Sequence, residues 1–282
     1  MIIDFHTHTF PDKSSEKIVN HLAHTGCIPP HTDGSAIGLF SSMKEADIDY
    51  SVNLPVMTKP EQVEKVNSSL IMQKEYLLDM KIITFGGMHP DYTNYKEELL
   101  RLKQAGIPGI KLHPAYQNVD LDDIRMMRII DEASSQGLIT LVHAGIDIGI
   151  YDHNYSSVAH ILKLLKEVAP EKLVLAHMGN WGCWNEVESD LAGAPVYFDT
   201  AFSYGPVTPL PDAPRAPYIS YNLHPKDFVR LVRKHGTDKV LFGTDSPWEN
   251  QQDYVKRISH MDFTTEELEQ ILSENAKKLF TI

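Results

Sequence analysis

Ile2-Ile3-Asp4-Phe5-His6-Thr7-His8 carries a short apolar run into two histidines two residues apart. On a strand, residues i and i+2 point to the same side, so His6 and His8 can grip one ion together. Four later stretches repeat the pattern: Gly109-Ile110-Lys111-Leu112-His113-Pro114, Thr140-Leu141-Val142-His143-Ala144-Gly145, Leu173-Val174-Leu175-Ala176-His177 and Val240-Leu241-Phe242-Gly243-Thr244-Asp245. Each places a metal-type ligand at or just after the end of an apolar run. Ligands at the C-terminal ends of parallel strands converge at the mouth of a barrel. The expectation is a metalloenzyme.

Working outward, strand-like and helix-like segments alternate along the whole chain. Strand candidates are 2–6, 50–54, 82–86, 109–113, 138–143, 173–177, 196–199 and 240–243. They are short and rich in Val, Ile and Leu, as strands buried on both faces are. Helices are expected over 60–80, with Pro60 in the first turn, and over 121–136, ending before Gly137. Others are expected over 156–169, 224–235 and 264–279, the last opening on a capping-box pattern, Thr-Thr-Glu-Glu. This repetition predicts an α/β fold, a closed (β/α)8 TIM barrel, as a single domain over residues 1–282.

Two connections are long. Residues 25–34 carry two prolines and His31, and residues 200–223 carry five prolines with Tyr204, Tyr218 and Tyr221. The second reads as a lid over the mouth, or equally as a surface excursion or subunit contact. A homodimer is therefore allowed.

Composition narrows the partners. A net charge of −12 argues against a nucleic-acid partner, which needs a basic face. No apolar run approaches the ~20 residues that cross a bilayer. Two cysteines, Cys27 and Cys183, imply no disulfide framework, and the N-terminus has no signal-like segment, so a reducing cytoplasm is expected. The partner expected is a small-molecule substrate.

Each candidate has a plainer reading. Asp4 shares parity with His6 and could orient its imidazole, or merely cap the barrel floor. Asp245 could be a ligand or the N-cap of the next helix, a role Ser246 could fill instead. A lone histidine at a strand end is usually structural; His143 and His177 at matching ends are harder to dismiss. Lys111 reads as a substrate-carboxylate clamp, a carboxylated bridge between two metals, a Schiff-base nucleophile or a structural ion pair. His113, before Pro114, faces substrate in the functional reading. His89 is weaker, and the remaining histidines lie in helices or loops.

These pieces, with the closing Glu274-Asn275-Ala276-Lys277-Lys278-Leu279-Phe280, resemble the amidohydrolase superfamily, and most closely its amidohydrolase-related branch of metal-dependent hydrolases and decarboxylases. The resemblance spans the chain in the family's order and names no substrate. It implies a divalent ion, zinc first, held by His6, His8, His143 and Asp245. It implies proton handling by His177 and Asp245. One metal is usual in that branch; in binuclear relatives a carboxylated lysine at the fourth strand, Lys111 here, bridges two ions and the fifth- and sixth-strand histidines, His143 and His177, bind the second, so Lys111, His113 and His177 are expected to meet a second metal or the substrate. The reaction implied is hydrolysis of an amide, ester or lactone by metal-activated water, or non-oxidative decarboxylation at the same site. A metal-free lyase using Lys111, and a scaffold without activity, are the rivals from other classes.

Overall fold

The computed structural model describes residues 1–211 and 222–280. Parallel strands follow one another around a barrel: β1 (Ile3–Thr7), β2 (Tyr50–Asn53), β3 (Ile82–Thr84), β4 (Gly86–Gly87), β5 (Gly109–Leu112), β6 (Ile139–Val142), β7 (Leu173–Leu175), β8 (Tyr197–Asp199) and β9 (Val240–Leu241). β3 and β4 are one stave broken in two. β3 pairs with β2 and β4 with β5. Between them the Phe85 amide still donates to the Asn53 carbonyl (3.0 Å), while its ring packs into the barrel interior.

The last stave closes onto the first. The Phe5 amide donates to Phe242 O (2.8 Å), the Asp245 amide to His6 O (2.8 Å) and the His8 amide to Ser246 O (2.7 Å). Closure carries Asp245 to the two histidines. The eight expected staves and the α/β barrel class are thus present.

Side chains alternate between two apolar layers, as a strand period of two requires. On β5, Ile110 and Leu112 join the outer layer under the helices. Inside the barrel, Phe5, Leu54, Phe85, Leu141, Val174 and Leu241 form a second cluster. Ala276 and Leu279 of the helix Asn275–Phe280 close its floor, and the Phe280 ring sits 5.2 Å from Phe5. The interior is packed at the bottom, so chemistry is confined to the top.

Helix ends follow capping chemistry. Gly137 and Gly236 end two helices with positive φ, and Thr264 and Glu267 form the expected capping box. One expected start is displaced: the third helix is Gln62–Asp79, so Pro60 lies before it rather than in its first turn. The long connection read over 25–34 is also shorter, because Thr25 and Gly26 finish a helix, Ser15–Gly26, that sequence periodicity did not reveal. Of the 200–223 connection, the neck is described. Tyr204 bridges to Leu223, and the Leu210 amide reaches Cys27 O (2.8 Å). Pro214, Pro217, Tyr218 and Tyr221 of the expected lid lie outside the described residues. Among the described residues no helix is long and apolar enough to cross a membrane.

Candidate metal centre

His6 and His8 meet on one oxygen. His6 Nε2 lies 3.4 Å and His8 Nε2 3.1 Å from Asp245 Oδ1. Both rings are held in the tautomer that leaves Nε2 bare. His8 Nδ1 donates to the Leu54 carbonyl (2.7 Å), and His6 Nδ1 donates to Asp199 Oδ2 (2.8 Å). Two imine nitrogens and a carboxylate oxygen, preset in this way, are what a divalent cation takes. The three residues form one ligand-spaced group.

Asp245 sits in the left-handed region, at φ 70°. It does not cap a helix. The next helix, Gln251–Ser259, is capped by Asn250, whose side chain accepts from the Asp253 amide. Ser246 does not cap either, and its buried Oγ has no partner among the described residues.

The reading of Asp4 as the His6 partner is overturned. Asp4 accepts from the His6 and Thr244 amides, the Thr244 hydroxyl and the Gln251 amide group, tying β1 to the loop after β9. Shared parity fails here because the β1–β2 register shifts between Asp4 and Thr7. Asp199, at the end of β8, does the orienting instead. It also accepts from the His177 amide (2.9 Å) and the Ala201 amide (3.1 Å). The sequence signal was there, an acid ending the apolar run Val196-Tyr197-Phe198-Asp199, but nothing in its spacing joins it to His6.

Across the mouth stand His143 and His177. His177 Nδ1 donates to Ala201 O (2.9 Å), so its Nε2 is bare, 3.1 Å from His143 Nδ1. His177, Met178 and Gly179 all have positive φ, a run of backbone that re-aims the ring at the end of β7. His143 is not in the ligand-spaced group of His6, His8 and Asp245. It forms another with His113 and Asp147. The His113 and His143 rings stack at 4.1 Å, and their Nε2 atoms lie 3.6 and 3.8 Å from Asp147 Oδ2. His143 Nε2 is buried with no hydrogen-bond partner. His113 also caps the short helix Pro114–Gln117, accepting the Tyr116 amide on Nδ1. Asp147 was not singled out from sequence; its only mark is its place four residues after His143.

Lys111 is buried with its Nζ 3.3 Å from His6 Nε2. Burial lowers its ammonium to about 8 against the pull of Asp199, Asp245 and Asp147. Burial likewise holds His6, His113 and His143 well below the ordinary imidazole value, with neighbouring cations adding to it. The same desolvation lowers His177 and raises Asp147 to about 6. In these neutral rings the unused lone pair of His143 is on Nε2, whereas the Nδ1 lone pair of His113 already accepts the Tyr116 amide. His89 lies elsewhere, accepting the Asp91 amide. His6, His177 and Asp199 form a third ligand-spaced group, and a fourth, Asp120, Asp122 and His160, sits toward the surface, where Lys163 already pairs with Asp122 at 2.9 Å.

His6, His8, Lys111, His113, His143, Asp147, His177 and Asp245 open on one cavity of about 490 Å³, the rest of whose lining is mostly apolar. That volume is of the size that holds a small molecule.

A family model for amidohydrolases matches residues 77–282. No curated protein matches the chain. Solved structures share the fold. A TIM-barrel protein of Bordetella bronchiseptica superposes with a TM-score of 0.75 at 17% identity, covering 99% of this chain and 98% of that one. A dihydroxybenzoic acid decarboxylase of Polaromonas sp. JS666, with bound manganese and the inhibitor 2-nitroresorcinol, gives 0.71 at 13%, covering 99% and 96%. A probable 2-pyrone-4,6-dicarboxylic acid hydrolase of Acinetobacter baumannii, with citric acid bound, gives 0.66 at 18%, covering 100% and 99%.

Proposed function

The chain belongs to the amidohydrolase family, and from that premise we propose a metal-dependent hydrolase acting on an amide, ester or lactone of a small molecule. The observation that carries this reading is the meeting of His6 Nε2 and His8 Nε2 on Asp245 Oδ1 at the floor of a largely apolar cavity. His6, His8 and Asp245 would hold the ion, and His143, which lies outside their ligand-spaced group, would have to close in on it as the fourth ligand. Three imidazoles and one carboxylate favour zinc, and the manganese of the Polaromonas relative makes manganese the second ion to test. When bound, the ion supplies a Lewis acid that activates water near neutral pH and polarises a carbonyl.

The chain's own residues supply the rest. Asp199 and the Leu54 carbonyl hold the two imidazoles of β1 in place. Asp245 accepts a proton from the attacking water at a carboxylate oxygen. His177, neutral and anchored by Nδ1, offers Nε2 to carry a proton towards the leaving group. The apolar upper wall limits competing water.

One observation favours a second reaction, loss of CO₂. Lys111 places a buried amine beside His6, where it would anchor a substrate carboxylate. Product analysis separates the two, because hydrolysis leaves all carbon in two fragments or a ring-opened acid, whereas decarboxylation releases CO₂. Screening the metal-loaded protein against lactones, amides and aromatic acids tests the reading. CO₂ release without any hydrolysis would replace it with the second.

His177→Asn separates proton transfer from metal retention. It should keep its metal and lose turnover by roughly 10²–10⁴-fold. Loss of metal in step with activity would make His177 a ligand instead.

A further inference from the structure

The charged and metal-ligating groups of the cavity gather at the strand ends, and the rest of its lining is mostly apolar with Thr9, Thr58, Gln62 and Tyr116 as polar exceptions. The cavity floor carries the imidazoles, carboxylates and Lys111 already described. Its upper wall is built by Ile18 and Leu22 of the helix Ser15–Gly26, by Ile28 just beyond, and by Ile146, Trp181 and Trp248 from loops at the mouth. No arginine lines the cavity among the described residues, and Lys111 at the floor is the one lysine that does. A second anionic group on the far end of a ligand would therefore meet a mostly apolar wall with no cationic side chain among the described residues to pair with, which is costly.

We propose that the substrate carries its polar groups at one end, where they meet the floor, and presents an apolar body of aromatic or alkyl carbon to the wall. This rests on the catalytic reading above for the identity of the floor, and it adds that substrates with charge at both ends are rejected. The wall is a specificity device set by the helix after β1, an element that supplies none of the candidate ligands.

A matched pair of ligands tests it by calorimetric binding to the protein as purified, with metal content measured alongside. The pair is 4-phenylbutyrate and 4-(4-carboxyphenyl)butyrate, which share one body and differ by a far-end carboxylate. Wild type should bind the first at least about tenfold more tightly than the second. Leu22 is half-buried on a helix, so Leu22→Arg should fold and should narrow that gap by giving the second carboxylate a partner. Equal or tighter binding of the dicarboxylate by wild type would overturn the proposal, as would binding of neither. The catalytic reading fails separately: a protein that binds no metal but keeps the preference would sink that reading and leave this one standing.

Discussion

Asp199 accepts three donors at once, the His6 ring, the His177 amide and the Ala201 amide, all in the interior. Burial pushes its carboxyl up, and those donors push back. As a partner that fixes a ligand's tautomer, it should matter almost as much as the ligand. Asp199→Asn should weaken metal affinity by about 10–100-fold while leaving the fold intact, measured by chelator competition and circular dichroism. Unchanged affinity would assign Asp199 to structure alone. At this scale the sequence was legible where a period existed. His6 and His8 announce themselves as neighbours on one strand face. His143, His177 and Asp245 are visible as strand-end residues, although which of them share one group was not. Asp199 and Asp147 were hidden because single acids have no spacing to connect them with distant rings. Asp4 misled because parity assumes regular pairing, and β1 slips between Asp4 and Thr7.

Between elements, two loops lock the histidine pair in place. Gly145 after β6 bridges Trp181 after β7, with the Trp181 amide on Ala144 O (2.9 Å) and the Ile146 amide on Trp181 O (3.1 Å). Gly145 has φ +104°, and a Cβ there would fall 2.1 Å from the Trp181 amide nitrogen. Gly145→Ala should cost at least about 1–3 kcal/mol from backbone strain alone and lower metal retention, read by denaturant melts and metal analysis. A neutral effect would show that the loops adjust freely.

A second element-scale test lies on the helix Pro225–His235. His235 stacks on Phe198 at 3.6 Å, and its Nε2 donates to Val196 O while its Nδ1 accepts the Gly193 amide. Both nitrogens are used only in the neutral ring, and burial, the largest cause, lowers it from 6.5 to about 4. Because the folded value is depressed, the full benefit holds above pH 6.5 and is lost as pH falls from there towards about 4. The loss reaches about 3 kcal/mol by pH 4. The melting temperature of wild type should therefore fall more steeply over that window than that of His235→Gln. Parallel curves would refute this.

On the scale of the whole molecule, the barrel separates stability from chemistry. The floor is packed by the C-terminal helix, with Leu279 inside the lower cluster. Leu279→Ala should cost about 2–5 kcal/mol in unfolding experiments yet leave metal stoichiometry unchanged. The alternation of apolar runs and capped helices revealed this architecture from the sequence, because closing a parallel sheet needs little beyond buried strands and crossover helices. The split third stave and the helix Ser15–Gly26 were not legible, since both depend on contacts distant in the chain. The mouth then gathers residues from six staves and the loops that follow them. In the proposed reading His6 and His8 together hold a divalent ion there. Elemental analysis of the wild-type protein beside His6→Ala/His8→Ala tests this most directly. The expected result is about one divalent ion per chain in wild type and its loss in the double variant. Equal metal content in the two proteins would contradict it.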